Sequence, residues 1–163
     1  LNEKTVEKID QKSVRTEYGK FNLILYKDLI FDETHLVLQK GKISKNSPTL
    51  VRVQQSNFFH DLLNINEFGA RWSVSDSMKK INEAGKGVIL LIDGESRKQD
   101  EFNEINSSKK TRITAPNNDP RRIGIGSQIL RDLGVQKIKL MGSEVRYPSL
   151  SGFDLEVTKY LKK

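Results

Sequence analysis

"DPRRIGIGSQILRDLGVQKIKL", residues 119–140, holds a helix start, a glycine pair, an amphipathic segment, a stop and a strand. Asp119 followed by Pro120 marks the start. A carboxylate there accepts from free helical N–H groups, and proline suits the first helical position because it has no N–H to leave unbonded. Ile125, Ile129 and Leu133 then share one face, and Gly134 ends the helix. Gly124 and Gly126 therefore fall inside the first two turns. A phosphate-cradling G-x-G-x-x-G requires a strand ending just upstream and a third glycine. Here "TAPNND" precedes the pair, and Ile129 stands where the third glycine belongs. The pair is expected to be structural, letting the helix pack closely on a neighbour.

Upstream, Asp93–Asn118 is polar and patternless and reads as a mobile loop. "VILLI" (88–92) is a continuous apolar run, expected as a strand buried on both faces. Val74, Met78 and Ile81 recur at helical spacing after Ser73, with Gly85 as the stop. "FNLILY" (21–26), "HLVLQK" (35–40) and "TLVRV" (49–53) are strand-like and separated by turns. "FDLEVTKYLKK" (153–163) supplies a last strand. The expected fold is mixed α and β, with antiparallel strands in the first half and helix–strand units in the second. Residues 1–13 are charged and read as a linker or short helix; residues 14–163 form one domain.

The composition narrows the function classes. The chain has 163 residues, 36% hydrophobic and 30% charged, enough for one domain with a real core. No apolar run approaches the roughly 20 residues of a membrane span, so no membrane partner is expected. Zero cysteines remove disulfides and thiolate metal sites and fit a cytoplasmic protein. The net charge of +7 suits a polyanion. Its lysines are interleaved with acids, however, and aromatic residues make up only 7%, so no nucleic-acid partner is expected. The chain begins at Leu1, which suggests an excised piece of a longer protein.

"RRIGIGSQILRDLGVQKIKLM" resembles the C-terminal segment of GTP cyclohydrolase II domains. The likeness extends through "TEYGKFNLILYKD", "HLVLQKGKIS", "LVRV", "INEAGKGVILL" and "SGFDLEV". It implies a GTP cyclohydrolase II-like fold. It also implies an ancestral activity, the opening of the guanine imidazole ring of GTP with release of formate and pyrophosphate in riboflavin synthesis. In that family a zinc ion held by three cysteines activates a water, since coordination lowers the water's pKa.

The departures from the family pattern fall on its chemistry. The resemblance places the three cysteine positions on Asn57, Phe68 and Ala70. Phe and Ala cannot ligate, and a lone Asn oxygen is a poor zinc ligand. His60 lies nearby, but one imidazole makes no site. The family's His-Ser-Glu falls on Gln54, Gln55 and Ser56; its guanine and phosphate motif keeps only Glu95 and Arg97; its late threonine and lysine fall on Gly142 and Tyr147. The segment holding its catalytic tyrosine is shortened. Asp119 and Arg121 coincide with the family's proton acceptor and nucleophilic arginine. They read either as catalytic remnants or, as we favour, as a helix cap and a surface charge.

The resemblance therefore implies a degenerate domain, without zinc or another cofactor of its own, that no longer converts GTP. "EKTVEKIDQKSVRTEYGKF" resembles the linker that follows a 3,4-dihydroxy-2-butanone 4-phosphate synthase domain in bifunctional riboflavin proteins. Synthase activity, and any magnesium, would then belong to that N-terminal domain of the parent chain. The domain in hand would contribute homodimerisation, stability or regulation. Two alternatives stay open. One is a sensor that binds a guanine nucleotide or pathway intermediate through Arg52, Glu95 and Arg97. The other is an enzyme with altered, metal-free chemistry.

Overall fold

In the computed structural model the described residues are 4–55, 61–65, 71–92, 102, 103, 106, 120–142 and 154–163, with side chains from 124 onward in the second helix. The first three strands form an antiparallel meander, with alternating buried positions in the second and third: β1 (Val6–Thr16), β2 (Gly19–Asp28) and β3 (Glu33–Lys40). β4 (Thr49–Gln55) follows, then helix α1 (Val74–Ala84), β5 (Gly87–Ile92), helix α2 (Pro120–Asp132), β6 (Lys137–Met141) and β7 (Glu156–Leu161). All seven strands join one sheet in the order β1-β2-β3-β5-β4-β6-β7. β3 pairs antiparallel with β5, whereas β4–β5, β4–β6 and β6–β7 are parallel.

This order explains why the sheet is covered on both faces. The β4–α1–β5 connection steps one way across the sheet, and β5–α2–β6 steps back past β4. With right-handed crossovers, opposite steps put their helices on opposite faces. The core divides accordingly. Val51, Val88 and Leu90 pack with Ile125, Ile129 and Leu130 of α2. Their sheet neighbours Leu50 and Ile89 pack with Met78 and Ile81 of α1 and with Trp72. β5 sits between β3 and β4 with Val88, Ile89 and Leu90 fully buried, as its apolar run predicts.

Helix α1 begins and ends where the sequence places it. The Ser73 hydroxyl accepts from the Asp76 N–H, and Gly85 turns left-handed at φ 81° with its N–H on Ile81 O. Gly87 is required for another reason: a Cβ there would lie 2.7 Å from Ile81 Cγ1, so a side chain would lift α1 off β5.

Two expectations need correction. The charged start, read as linker or short helix, is strand β1 from Val6 onward. It is an edge strand with Val6 its sole fully buried residue, so it shows no apolar period. Charged residues are what an unpaired edge favours. Its register skips between Lys8 and Asp10, a bulge that leaves Ile9 exposed. β4, expected among antiparallel strands, is paired in parallel on both sides.

The glycine pair lies inside α2, which starts at Pro120 as predicted, and no packing among the described residues requires it. A Cβ at Gly126 would make only ordinary contact with Leu90 at 3.5 Å, and one at Gly124 would meet nothing within 4 Å among the described residues. Most of the segment read as a mobile loop lies outside the described residues. Phe102, Asn103 and Asn106 within it are helical.

Candidate functional site

Parallel α/β sheets place ligand sites beyond the carboxyl ends of their strands. Here those ends are Gln54–Gln55 of β4, Ile92 of β5 and Met141 of β6, followed by Gly142. Arg52 comes from β4 and spans the group. Its Nη1 donates to Met141 O at 3.0 Å, its Nη2 to Trp72 O at 3.1 Å and its Nε to Gln54 Oε1 at 3.0 Å. One planar guanidinium thus joins β4, the end of β6 and the approach to α1, using the fixed fork of donors that lysine lacks.

The network extends from both ends of this clamp. Gln54, buried at 5% exposure, donates through Nε2 to Asp61 Oδ2 at 2.7 Å. Asp61 Oδ1 in turn accepts the Val74 N–H at 3.1 Å, satisfying the first residue of α1. A carboxylate there is also favoured by the helix dipole. The Trp72 indole N–H donates to Leu161 O at 3.0 Å, which draws β7 onto the same cluster. Lys163 stands 5.3 Å from the Trp72 ring centroid and 3.0 Å from Asp76 Oδ2. Burial alone would raise the Asp76 carboxyl, but the Lys163 hydrogen bond and charge, with Ser73 and Lys79 adding, hold it below the usual carboxylate range.

Gly142 completes the frame. Its N–H donates to Leu161 O at 2.8 Å with φ at 155°, and a Cβ there would sit 3.4 Å from Arg52 Nη1. A threonine, which the resemblance would place here, would press on the guanidinium in a backbone conformation that favours glycine.

Of the residues singled out by sequence, the structure brings together Arg52, Gln54 and Gly142. Gln55 ends the same strand, and its buried Oε1 has no hydrogen-bond partner among the described residues. Arg121 is the second residue of α2, with its side chain outside the description. Asn57, Phe68, Ala70, His60, Ser56, Glu95, Arg97, Asp119 and Tyr147 lie outside the described residues. The donor set for three thiolates does not exist in a chain with no cysteine, so the family's zinc does not fit. Sequence reasoning missed Asp61 and Trp72. Neither has a local pattern, because each acts through a partner many residues away.

A second polar constellation ties the start of the chain to α2. Tyr26 Oη donates to Asp132 Oδ2 at 2.6 Å, Lys4 reaches Asp132 Oδ1 at 2.7 Å, and Gln128 accepts the Thr5 N–H. Burial pushes the Tyr26 phenol far above its ordinary range, and its bond to Asp132 adds to the shift. Burial would also raise Asp132, but the hydrogen bonds from Lys4 and Tyr26 outweigh it and hold the carboxyl below the usual range.

Comparison with known proteins gives these networks a context. The GTP cyclohydrolase II family model matches residues 7–162. A 3,4-dihydroxy-2-butanone 4-phosphate synthase from Pseudomonas aeruginosa is 41% identical over 99% of this chain and 44% of its own length. A riboflavin biosynthesis protein RibBA from Cytophaga hutchinsonii is 33% identical over 88% of this chain and 38% of its own. A crystal structure of RibBX, a two-domain 3,4-dihydroxy-2-butanone 4-phosphate synthase from A. baumannii, superposes with a TM-score of 0.67. It is 34% identical and covers 98% of this chain and 41% of that one. The chain thus spans less than half the length of these relatives. No helix among the described residues is long and apolar enough to cross a membrane.

Proposed function

Because the chain belongs to the GTP cyclohydrolase II family, we propose that it is a family domain that has lost the GTP reaction. It serves a structural, dimerising or regulatory role beside a 3,4-dihydroxy-2-butanone 4-phosphate synthase domain in a riboflavin biosynthesis protein. The observation that carries this reading is the use made of Arg52. At the position where the family approaches its nucleotide, the guanidinium is bonded to Met141 O, Trp72 O and Gln54 of its own chain. A family active-site position has become a clamp of the sheet. Two relatives reinforce the reading: proteins named for the synthase, one described as two-domain, match this chain over less than half of their length.

The lost chemistry is the demanding part. Ring opening needs hydroxide delivered to a poorly electrophilic carbon, and metal coordination provides it by lowering the pKa of bound water to about 7. With no thiolates for zinc, another group must deprotonate that water. The family-matched candidate is Asp119, and an aspartate carboxylate, with its reference pKa of about 4, is in general a weak base. Each 1.36 kcal/mol lost from the transition state lowers the rate about tenfold.

The test incubates the chain with millimolar GTP, zinc and magnesium and measures formate and the diaminopyrimidine. No product above a protein-free control is expected. Turnover abolished by Arg121→Ala would overturn the reading. Calorimetric titration with GTP distinguishes a structural domain, which gives no heat, from a sensor, which binds without turnover.

A further inference from the structure

The β2–β3 hairpin carries a group of donors that the family comparison does not address. Asp28 ends β2, and Glu33 and His35 begin β3. Asp28 and Glu33 are direct partners in the register. Glu33 and His35, two apart on one strand, share a face of the sheet. One ligand atom from each of the three lies within 4.8 Å of the others, with His35 Nε2 4.0 Å from Glu33 Oε1. Asp28 is 1% exposed and His35 0%.

The Asp28 carboxylate shows what this group lacks. Its Oδ1 accepts from the Ile30 N–H at 2.9 Å and is 3.4 Å from the Phe31 N. Its Oδ2 is fully buried and has no hydrogen-bond partner among the described residues. A buried carboxylate oxygen is costly unless hydrogen-bonded, paired with a charge or bound to a metal. Lys27, next to Asp28 in β2, is 3.0 Å from the exposed Asp32.

We propose that Asp28, Glu33 and His35 form a binding site for a divalent transition-metal cation at the closed end of the β2–β3 hairpin. One imidazole with two carboxylates is a borderline donor set that suits zinc and its first-row neighbours, whereas magnesium and calcium prefer oxygen alone. Ligands at about 2.0–2.2 Å from one ion stand about 3.0–3.5 Å apart, so closure asks these side chains to move by roughly an ångström. Three protein ligands leave a position for water. Glu33, with its side chain 25% exposed, provides the way in. A bound cation would pin the hairpin beside β1, where Val6 pairs with Asp28 and the Leu29 N–H bonds to Thr5 O at 2.9 Å. It would also fix the exposed turn residues Leu29, Ile30 and Phe31.

The chain has only two histidines and no cysteine, which makes the experiment clean. Untagged, chelator-stripped protein is titrated with zinc and, separately, cobalt(II), while the imidazole resonances are followed by NMR. His60→Gln assigns the two histidines. The expected result is one ion per chain, with the His35 resonances shifted by zinc and a visible cobalt band that zinc displaces. Magnesium should leave the spectrum unchanged. Asp28→Asn and His35→Gln should each weaken binding by about a hundredfold or more, since even outer partners of metal ligands are worth 10–100-fold. If either variant fails to fold, the wild-type His35 shift still decides. An unmoved His35 up to millimolar zinc, binding that follows His60 instead, or undiminished affinity in folded Asp28→Asn would overturn the proposal.

Discussion

Replacing Arg52 by alanine separates a structural clamp from a vestigial nucleotide contact. In the structure the guanidinium joins two main-chain carbonyls, Met141 O and Trp72 O, to the side chain of Gln54. Hydrogen bonds that involve a charged group contribute about 1.5–3 kcal/mol each, and a buried acceptor left unsatisfied costs about 1–3 kcal/mol. These figures overlap, and Arg52 is only partly buried, so water can reach some of the vacated groups. A net loss of about 2–4 kcal/mol follows from one or two such bonds going unreplaced. For a domain of this size each kcal/mol lowers the melting temperature by about 2–4 °C, which gives a drop of roughly 5–15 °C. Arg52→Lys should recover only a small part, because an ammonium cannot reproduce the fork. Calorimetric melts of the three proteins, paired with GTP titrations, supply the assay. A melting temperature within a degree of wild type, combined with loss of measurable GTP binding, would refute the clamp and restore Arg52 to a ligand site.

Other consequences follow from the same structure. Tyr26→Phe should cost about 1.5–3 kcal/mol near neutral pH, because it removes a short bond to a carboxylate. The signs at the two pH limits differ in origin. Asp132, lowered in the folded state, contributes stability above the unfolded carboxylate pKa of about 4 that is lost as pH falls through its folded value. Tyr26, raised when folded, contributes stability below about pH 10 that is lost as pH climbs further. The gap between wild type and Tyr26→Phe in urea melts should therefore narrow below pH 4 and above pH 10; a gap constant with pH would contradict the pairing. Ser73→Ala should lose about 0.5–2 kcal/mol as a removed helix cap, with Ser73→Asp recovering most of it in the same melts. Gly124→Ala should be neutral or stabilising by up to about 1 kcal/mol, since alanine is the better helix former and its Cβ meets open space; clear destabilisation would mean that something outside the described residues packs there.

How much of this fold the sequence disclosed depends on the range of the forces involved. Helix α1 was legible because its signals are local: Ser73 caps it, Met78 and Ile81 set its face, and Gly85 ends it. The same holds for β5 and for the start of α2 at Pro120. β1 was not legible, because an edge strand with one buried residue has no apolar period to detect. The parallel pairing of β4 was hidden because strand direction is set by the crossovers, not by the strand's residues. Of the candidate site, the resemblance reached Arg52, Gln54 and Gly142 but not the three neighbours that the Arg52 guanidinium bonds. Asp61, Trp72 and the Asp28–Glu33–His35 group depend on contacts made only in the folded sheet.

If the GTP reaction is lost as proposed, Arg52 indicates how such a domain could lose its chemistry and keep its fold. On the reading proposed above, the thiolates that the resemblance places at Asn57, Phe68 and Ala70 would have served only the metal. Arg52 differs. Its removal would strand two carbonyls at the junction of β4, β6 and α1, so stability alone is sufficient reason for an arginine there. Asp119 poses the same question, since a helix start and a proton acceptor call for the same carboxylate. A residue matching a catalytic position is therefore weak support for catalysis when the fold also needs it. The decisive positions are those where chemistry is the sole reason for the side chain, and the three cysteines are such positions.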